Sequence, residues 1–216
     1  MKKLLLAAIT MSCASALLAQ GTVNFNNRVA TSGPWAPVYG PEAGNTSLSL
    51  HGNTSTGIPS GTQVYTGAPL AGSAYSAVLF AAPGANAAES SLVASPTVTV
   101  FRTGAGAGFV SVPATAAVLP GVAADAAVAT LQLRAWDNKG GTITTWADAE
   151  AAWLAGTIAA GKSATFNVSS IGGTFNAPPN LSGLTSFNIY YNIIPEPSTF
   201  ALLGLGALGM MIFRRK

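Results

Sequence analysis

The stretch ATLQLRAW, residues 129–136, alternates strictly. Leu131, Leu133 and Ala135 fall on one side of an extended chain, and Thr130, Gln132, Arg134 and Trp136 on the other. Side chains of a β-strand point to opposite faces in turn, so this period fits a strand and not a helix. SFNIYYNI repeats it, grouping Phe187, Ile189, Tyr191 and Ile193 against Asn188, Tyr190 and Asn192. TVNFNNRV, TQVYTG, SAYSAVLFAA, PTVTVFR, GFVSV, TITTW and SATFNVSS are further strand candidates. Turn formers lie between them: Ser60-Gly61, Pro83-Gly84, Gly104 to Gly108, Pro120-Gly121, Asn138-Lys139-Gly140-Gly141 and Gly172-Gly173. Many short strands with frequent turns predict an all-β domain, an antiparallel β-sandwich or jelly-roll-like fold. No internal repeat of the kind a propeller or solenoid needs is present.

One helix interrupts the strands. TWADAEAAWLAG offers Thr145 as N-cap, Asp148 near the positive helix end, and Gly156 as terminator. Trp146, Ala149, Trp153 and Leu154 are expected to share its buried face. Gly33 to Ser60, rich in Gly, Pro, Ser, Thr and Asn, predicts long loops with one short strand at Leu48–His51.

Two apolar segments fall outside this pattern. MKKLLLAAITMSCASALLAQG has two lysines, an apolar stretch from Leu4 and small residues before Gln20, the layout of a secretory signal peptide cleaved after Ala19. Cys13 offers a lipoprotein alternative, weakened by Thr10 where such sites carry Leu; the run is too short for a comfortable anchor. At the other end, Phe200 to Phe213 carries no charge and is followed by Arg214, Arg215 and Lys216. As a helix this run is about 21 Å long at 1.5 Å per residue, short for a hydrocarbon core about 30 Å thick. Snorkelling of the basic end and local thinning make insertion feasible, with the basic end on the cytoplasmic side.

Pro195-Glu196-Pro197-Ser198, the apolar run and the Arg214-Arg215-Lys216 stop, in that order, resemble the PEP-CTERM sorting signal. The resemblance implies export, transient membrane anchoring through the C-terminal helix, and recognition by an exosortase, a membrane protease-transpeptidase that cuts near the motif. An ordinary single-pass anchor is the competing reading of the same residues. The expected organisation is a signal helix at 1–19, an exported β domain at 20–194, and the sorting signal at 195–216.

With both ends set aside, about 175 residues remain, the size of one domain. Their basic residues are Arg28, Arg102, Arg134, Lys139 and Lys162, against six acids, so the body is near −1 although the whole chain is +3. That balance offers nucleic acid no basic patch. The single cysteine departs with the signal, so neither disulfide nor thiolate metal site is expected. The body is also similar to small exported domains that accompany such tails in environmental bacteria. The shared residues are Gly21 to Asn27, Pro37-Val38-Tyr39, Leu133 to Asp137 and Gly161-Lys162-Ser163. This similarity implies no activity.

Chemical motifs fail on context. GTIAAGKS, Gly156 to Ser163, matches a phosphate-binding loop, but a helix precedes it and a strand candidate follows, the reverse of the order needed. GLGALG, Gly204 to Gly209, lies within the apolar tail, where its glycines suit close helix contact. His51, the only histidine, sits in a loop-like setting, and no serine has a nucleophile-elbow context. Asp148 and Glu150 point apart on a helix, and Asp137 reads as a turn former. Sequons at Asn45, Asn53, Asn167 and Asn180 are at chance level for this composition. Neither enzyme activity nor a cofactor nor a metal is expected. Trp146 and Trp153 are expected to fasten the helix to the sheet, leaving Trp35 and Trp136 as candidates for stacking on sugar rings. The reading is a structural protein of the cell surface or extracellular matrix, with a carbohydrate-binding module retained near exopolysaccharide as the alternative.

Overall fold

A computed structural model of the chain describes residues 20–30 and 33–193. The signal segment, the sorting motif at Pro195–Ser198, the apolar run and Arg214–Lys216 all lie outside the described residues. Within them the chain is mostly β, with one short α-helix and no closed barrel. None of the described helices is long and apolar enough to cross a membrane.

Two strands form the centre: β3 (Tyr75–Pro83) and β6 (Val128–Asp137), antiparallel and paired along their whole length from Tyr75↔Asp137 to Pro83↔Ala129. β4 (Val93–Val100) flanks β3, and β7 (Ala159–Lys162) flanks β6 with β10 (Tyr190–Tyr191) outside it. β8 (Phe166–Ser169) shares the β7 edge of β6, completing a six-stranded sheet. Two small ladders accompany it: β1 (Gln20–Val23) antiparallel to β5 (Ala117–Ala123), and β2 (Val38–Tyr39) parallel to β9 (Phe187–Asn188). The helix α1 spans Trp146–Leu154.

The alternation of β6 divides two cores. Leu131, Leu133 and Ala135 enter a large apolar cluster with Val23, Leu119 and Phe187, which ties the small ladders to one face of the sheet. Trp136 enters the smaller cluster on the other face, under α1. β3 is buried on both faces, Leu79 in one cluster and Phe80 in the other, which explains its nearly unbroken apolar sequence. In SFNIYYNI the predicted faces hold as far as Tyr191: Phe187 and Ile189 join the large core and Tyr190 the small one, while Ile193 is exposed.

α1 forms as its ends dictate. The Thr145 hydroxyl accepts from the Asp148 N–H at 3.2 Å and donates to the Asp148 carboxylate at 2.6 Å, and Gly156 follows at φ +66°. Trp146, Ala149 and Trp153 are buried as expected, but Leu154 is exposed.

Several expected elements form differently. Pro120-Gly121 makes a β-bulge inside β5 in place of a turn: Gln20 pairs with Ala123 but Gly21 with Leu119, and Gly121 at φ +76° absorbs the extra chain. Pro96 rides a similar irregularity of the edge strand β4, where the register passes from Val78↔Val98 to Phe80↔Ala94 and a missing N–H leaves no ladder bond unmade. TQVYTG forms no ladder because the N–H groups of Thr66 and Gly67 go to the buried Glu42 carboxylate. TITTW is consumed by the turn closed by Ile143 N–H on Asn138 C=O and by the helix cap. GFVSV and Leu48–His51 contribute only single bridges, Val110↔Phe101 and His51↔Phe187.

Candidate functional site

Trp136 is fully buried, its Nε1 donates to the Ile143 carbonyl at 2.9 Å, and its ring meets Trp146 edge-on at 5.9 Å. No face of it is open to a sugar, so that part of the stacking expectation is corrected: the small core needs the ring more than solvent could offer it. Trp35 is half-buried, edge-on to Phe109 at 5.2 Å with the Arg28 guanidinium 4.8 Å from its ring centroid. The two tryptophans do not converge on one site.

A different constellation gathers on the face of the sheet that carries α1. The polar row of β6 is buried there: Thr130, Gln132 and Arg134 are each at most 5 % exposed. Arg134 lies 3.7 Å from the Phe80 ring centroid and 5.2 Å from that of Trp146, and its Nε donates to Gln132 Oε1 at 2.8 Å. Aromatic faces attract the guanidinium electrostatically and replace part of its lost hydration. Burial lowers its pKa, while Glu89 and Glu150 push the other way.

Lys162, at the end of β7, donates to Glu89 at 3.0 Å and to Glu150 of α1 at 2.9 Å. Glu89 also faces Arg134 at 3.6 Å. Burial opposes the charge of Glu89, but the hydrogen bond and charge of Lys162, with Arg134 behind it, hold its carboxyl below the ordinary 4.5. Two cations and two carboxylates therefore cancel.

Between β7 and β8 the chain bulges. Lys162 pairs with Arg134 and Phe166 with Leu131, so Ser163, Ala164 and Thr165 stand opposite Gln132 and Leu133. Ser163 secures the bulge: its N–H reaches the Leu133 carbonyl at 2.8 Å, and its hydroxyl accepts from the Leu133 N–H at 3.0 Å. Beside the bulge opens a trough of about 580 Å³, with Trp153 and Tyr190 on one wall, Gln132 below, and Ser49 and His51 on the rim. Trp153 and Tyr190 meet edge-on at 5.0 Å, and the Trp153 Nε1 donates to the Tyr190 carbonyl. The Glu89–Lys162 pair separates this trough from a second depression of about 430 Å³ over Phe80 and Arg134.

The His51 Nε2 donates to the Lys162 carbonyl at 2.9 Å, so its hydrogen bond goes to a backbone oxygen and not to an orienting carboxylate. Glu89, pushed down, is the opposite of the raised carboxyl that protonates a leaving oxygen in glycoside cleavage. GTIAAGKS runs from the end of α1 into β7, and its Gly161 packs against the β9 backbone, so the string is strand and bulge, not an anion cradle. Of the sequons, Asn53 is buried, donating to the Pro59 carbonyl and accepting from the Ser186 N–H, while Asn45 is exposed. Sequence reasoning placed Gln132 and Arg134 on the Trp136 face, but not Glu89, Tyr190 or the bulge, which arrive from remote segments.

A second exposed feature is the loop after β8. The Asp125 carboxylate accepts from the N–H groups of Thr174, Phe175 and Asn176, at 2.7 Å for Asn176, and the loop presents Phe175 91 % exposed. The Asn176 N–H leads in lowering the Asp125 pKa below 3.8, with Phe175 and Thr174 adding to it. A depressed carboxylate contributes stability that is present above its unfolded pKa and lost as pH falls through the folded one. Thermal melts should therefore show Asp125→Asn less stable than the wild type at pH 6, with the gap closing as pH falls below 3.8. A gap independent of pH contradicts the assignment.

The PEP-CTERM protein-sorting motif matches residues 194–216. Neither a curated protein nor a solved structure is detectably similar to the chain. The match covers the tail and leaves the body without a relative of known activity. Residues 194–216 are thus a PEP-CTERM protein-sorting motif, a signal that implies export and cell-surface sorting through exosortase recognition of the C-terminal segment.

Proposed function

We propose that the mature protein is a non-catalytic structural component of the cell surface or extracellular matrix, anchored in the membrane only until its tail is processed. The sorting motif at 194–216 carries the reading. The body agrees with it: Glu89, Glu150, Arg134 and Lys162 are spent on one another, and the His51 hydrogen bond goes to a backbone carbonyl. In the same reading the body is sandwich-like, the β1–β5 and β2–β9 ladders forming a layer against the main sheet through the shared apolar cluster.

The test is fractionation of the host. Wild type should be recovered outside the cytoplasmic membrane, and the P195A/E196A/P197A variant should accumulate in membranes with its tail intact. Equal distribution of the two removes the motif from the sorting step.

Carbohydrate binding is the second reading. The aromatic and polar trough beside Tyr190 favours it, in place of the separated Trp35 and Trp136.

A further inference from the structure

The trough contains polar groups that the fold leaves unused. Among the described residues, Ser49 Oγ, Thr165 Oγ1 and His51 Nδ1 make no hydrogen bond within the protein, although all line one depression. Opposite them stands the partly buried Tyr190 ring, propped edge-on by Trp153. Gln132 forms the floor, its Nε2 donating to the Ser163 carbonyl and its amide also hydrogen-bonding the Glu89 carboxylate.

Resting on the carbohydrate-binding reading, we infer that this trough is a site for neutral glycans, holding one or two uncharged sugar residues of a polymer. Sugar rings offer an apolar C–H face to an aromatic wall and hydroxyls to the facing donors and acceptors, and the trough supplies both kinds of surface. Its volume lies within the roughly 300–1,000 Å³ common for small-ligand sites. Ser49, His51, Ala164 and Thr165 are exposed along the rim, so a chain can enter and leave without threading.

Charge selects the class. Lys162 is already bound by two carboxylates and Arg134 lies under Phe80 and Trp146, so an anionic sugar would meet Glu89 with no free cation beside it. Desolvating such a charge without a partner is unfavourable. A cationic sugar would compete with Lys162 for Glu89. Neutral hydroxyls face neither conflict.

The experiment measures retention of the full-length chain on immobilised polysaccharides, in a detergent without a sugar headgroup so that the micelle does not compete. The probes are neutral glucan, mannan and galactan, uronic-acid polymers, and the neutral and acidic fractions of the host exopolysaccharide. The wild type should be retained by a neutral polymer and not by the acidic ones. Thr165→Trp, which fills the trough from an exposed position, and His51→Ala should each weaken retention at least tenfold with the melting temperature unchanged, while Trp35→Ala has no effect. Retention lost in Trp35→Ala but kept in Thr165→Trp overturns this site and leaves carbohydrate binding standing. Selectivity for acidic polymers overturns the neutral class. No retention on any probe overturns the carbohydrate reading together with the site.

Discussion

Trp136→Ala should destabilise the domain severely. The side chain has no exposed area, seats against Trp146 and holds the Ile143 carbonyl through its indole N–H. Truncating a buried tryptophan costs about 3–5 kcal/mol, a large part of the roughly 5–15 kcal/mol that stabilises a typical domain. The loss is amplified because Trp146 links onward to Phe80 at 6.3 Å and to Trp153 at 6.2 Å, so the cavity undermines the seat of α1 and the trough above it. Denaturant melts of wild type and variant supply the measurement. A change within about 1 kcal/mol, the range of most surface substitutions and mild core swaps, contradicts the assignment of Trp136 to the core. Lost glycan retention in this variant would therefore report unfolding and not a missing contact.

Asn27→Leu should be nearly as damaging, for a polar reason. Asn27 is fully buried; its amide donates to the Ala36 carbonyl at 2.8 Å and the Gly108 carbonyl at 3.1 Å, and accepts from the Val110 N–H at 2.9 Å. One side chain thus satisfies three backbone groups on two segments remote from its own. Leucine has similar bulk, so packing is largely kept while the Ala36 carbonyl and the Val110 N–H lose their partners; the Gly108 carbonyl keeps the Val38 N–H. Each buried group left unpaired costs about 1–3 kcal/mol, and with incomplete additivity the variant should lose about 2 kcal/mol or more. Equilibrium unfolding tests it, with Asn24→Leu as comparison: Asn24 is exposed, so its bonds to Pro178 and Asn180 should matter less. Equal losses at the two positions contradict the role given to Asn27.

Asn27 also shows how much of the fold was legible. The strand candidate TVNFNNRV is strand only as far as Val23, yet Val23, Phe25 and Asn27 are all buried. A strand pattern does not say that an amide belongs inside. Asn138 and Asn188 repeat the case, Asn138 donating to the Ser73 carbonyl and Asn188 joining Leu48 and Leu50 to β9. A chain this poor in regular ladders at its loops needs side-chain amides to complete its buried backbone bonds.

β6, β3 and α1 were readable because their signals are local: period, caps and apolar run. β7 was not, since AAGK has no alternation and becomes a strand only because β6 and β10 offer it partners. The Pro-Gly pair in β5 was misread because a bulge and a turn need the same residues, and only pairing with β1 separates them. Of the trough, the polar face of β6 made only Gln132 visible. The rest depends on Glu89, His51 and Tyr190 reaching it from distant parts of the chain, which no short window contains.

The central claim is that the tail delivers the folded body and is then removed. Mass mapping of the C-terminus of the protein isolated from a host with an active exosortase tests it most directly. The account predicts an end within or near residues 194–200, and an intact tail when the exosortase is inactivated. Recovery of Arg214-Arg215-Lys216 on the mature protein of the active host would contradict it and make the tail a permanent anchor.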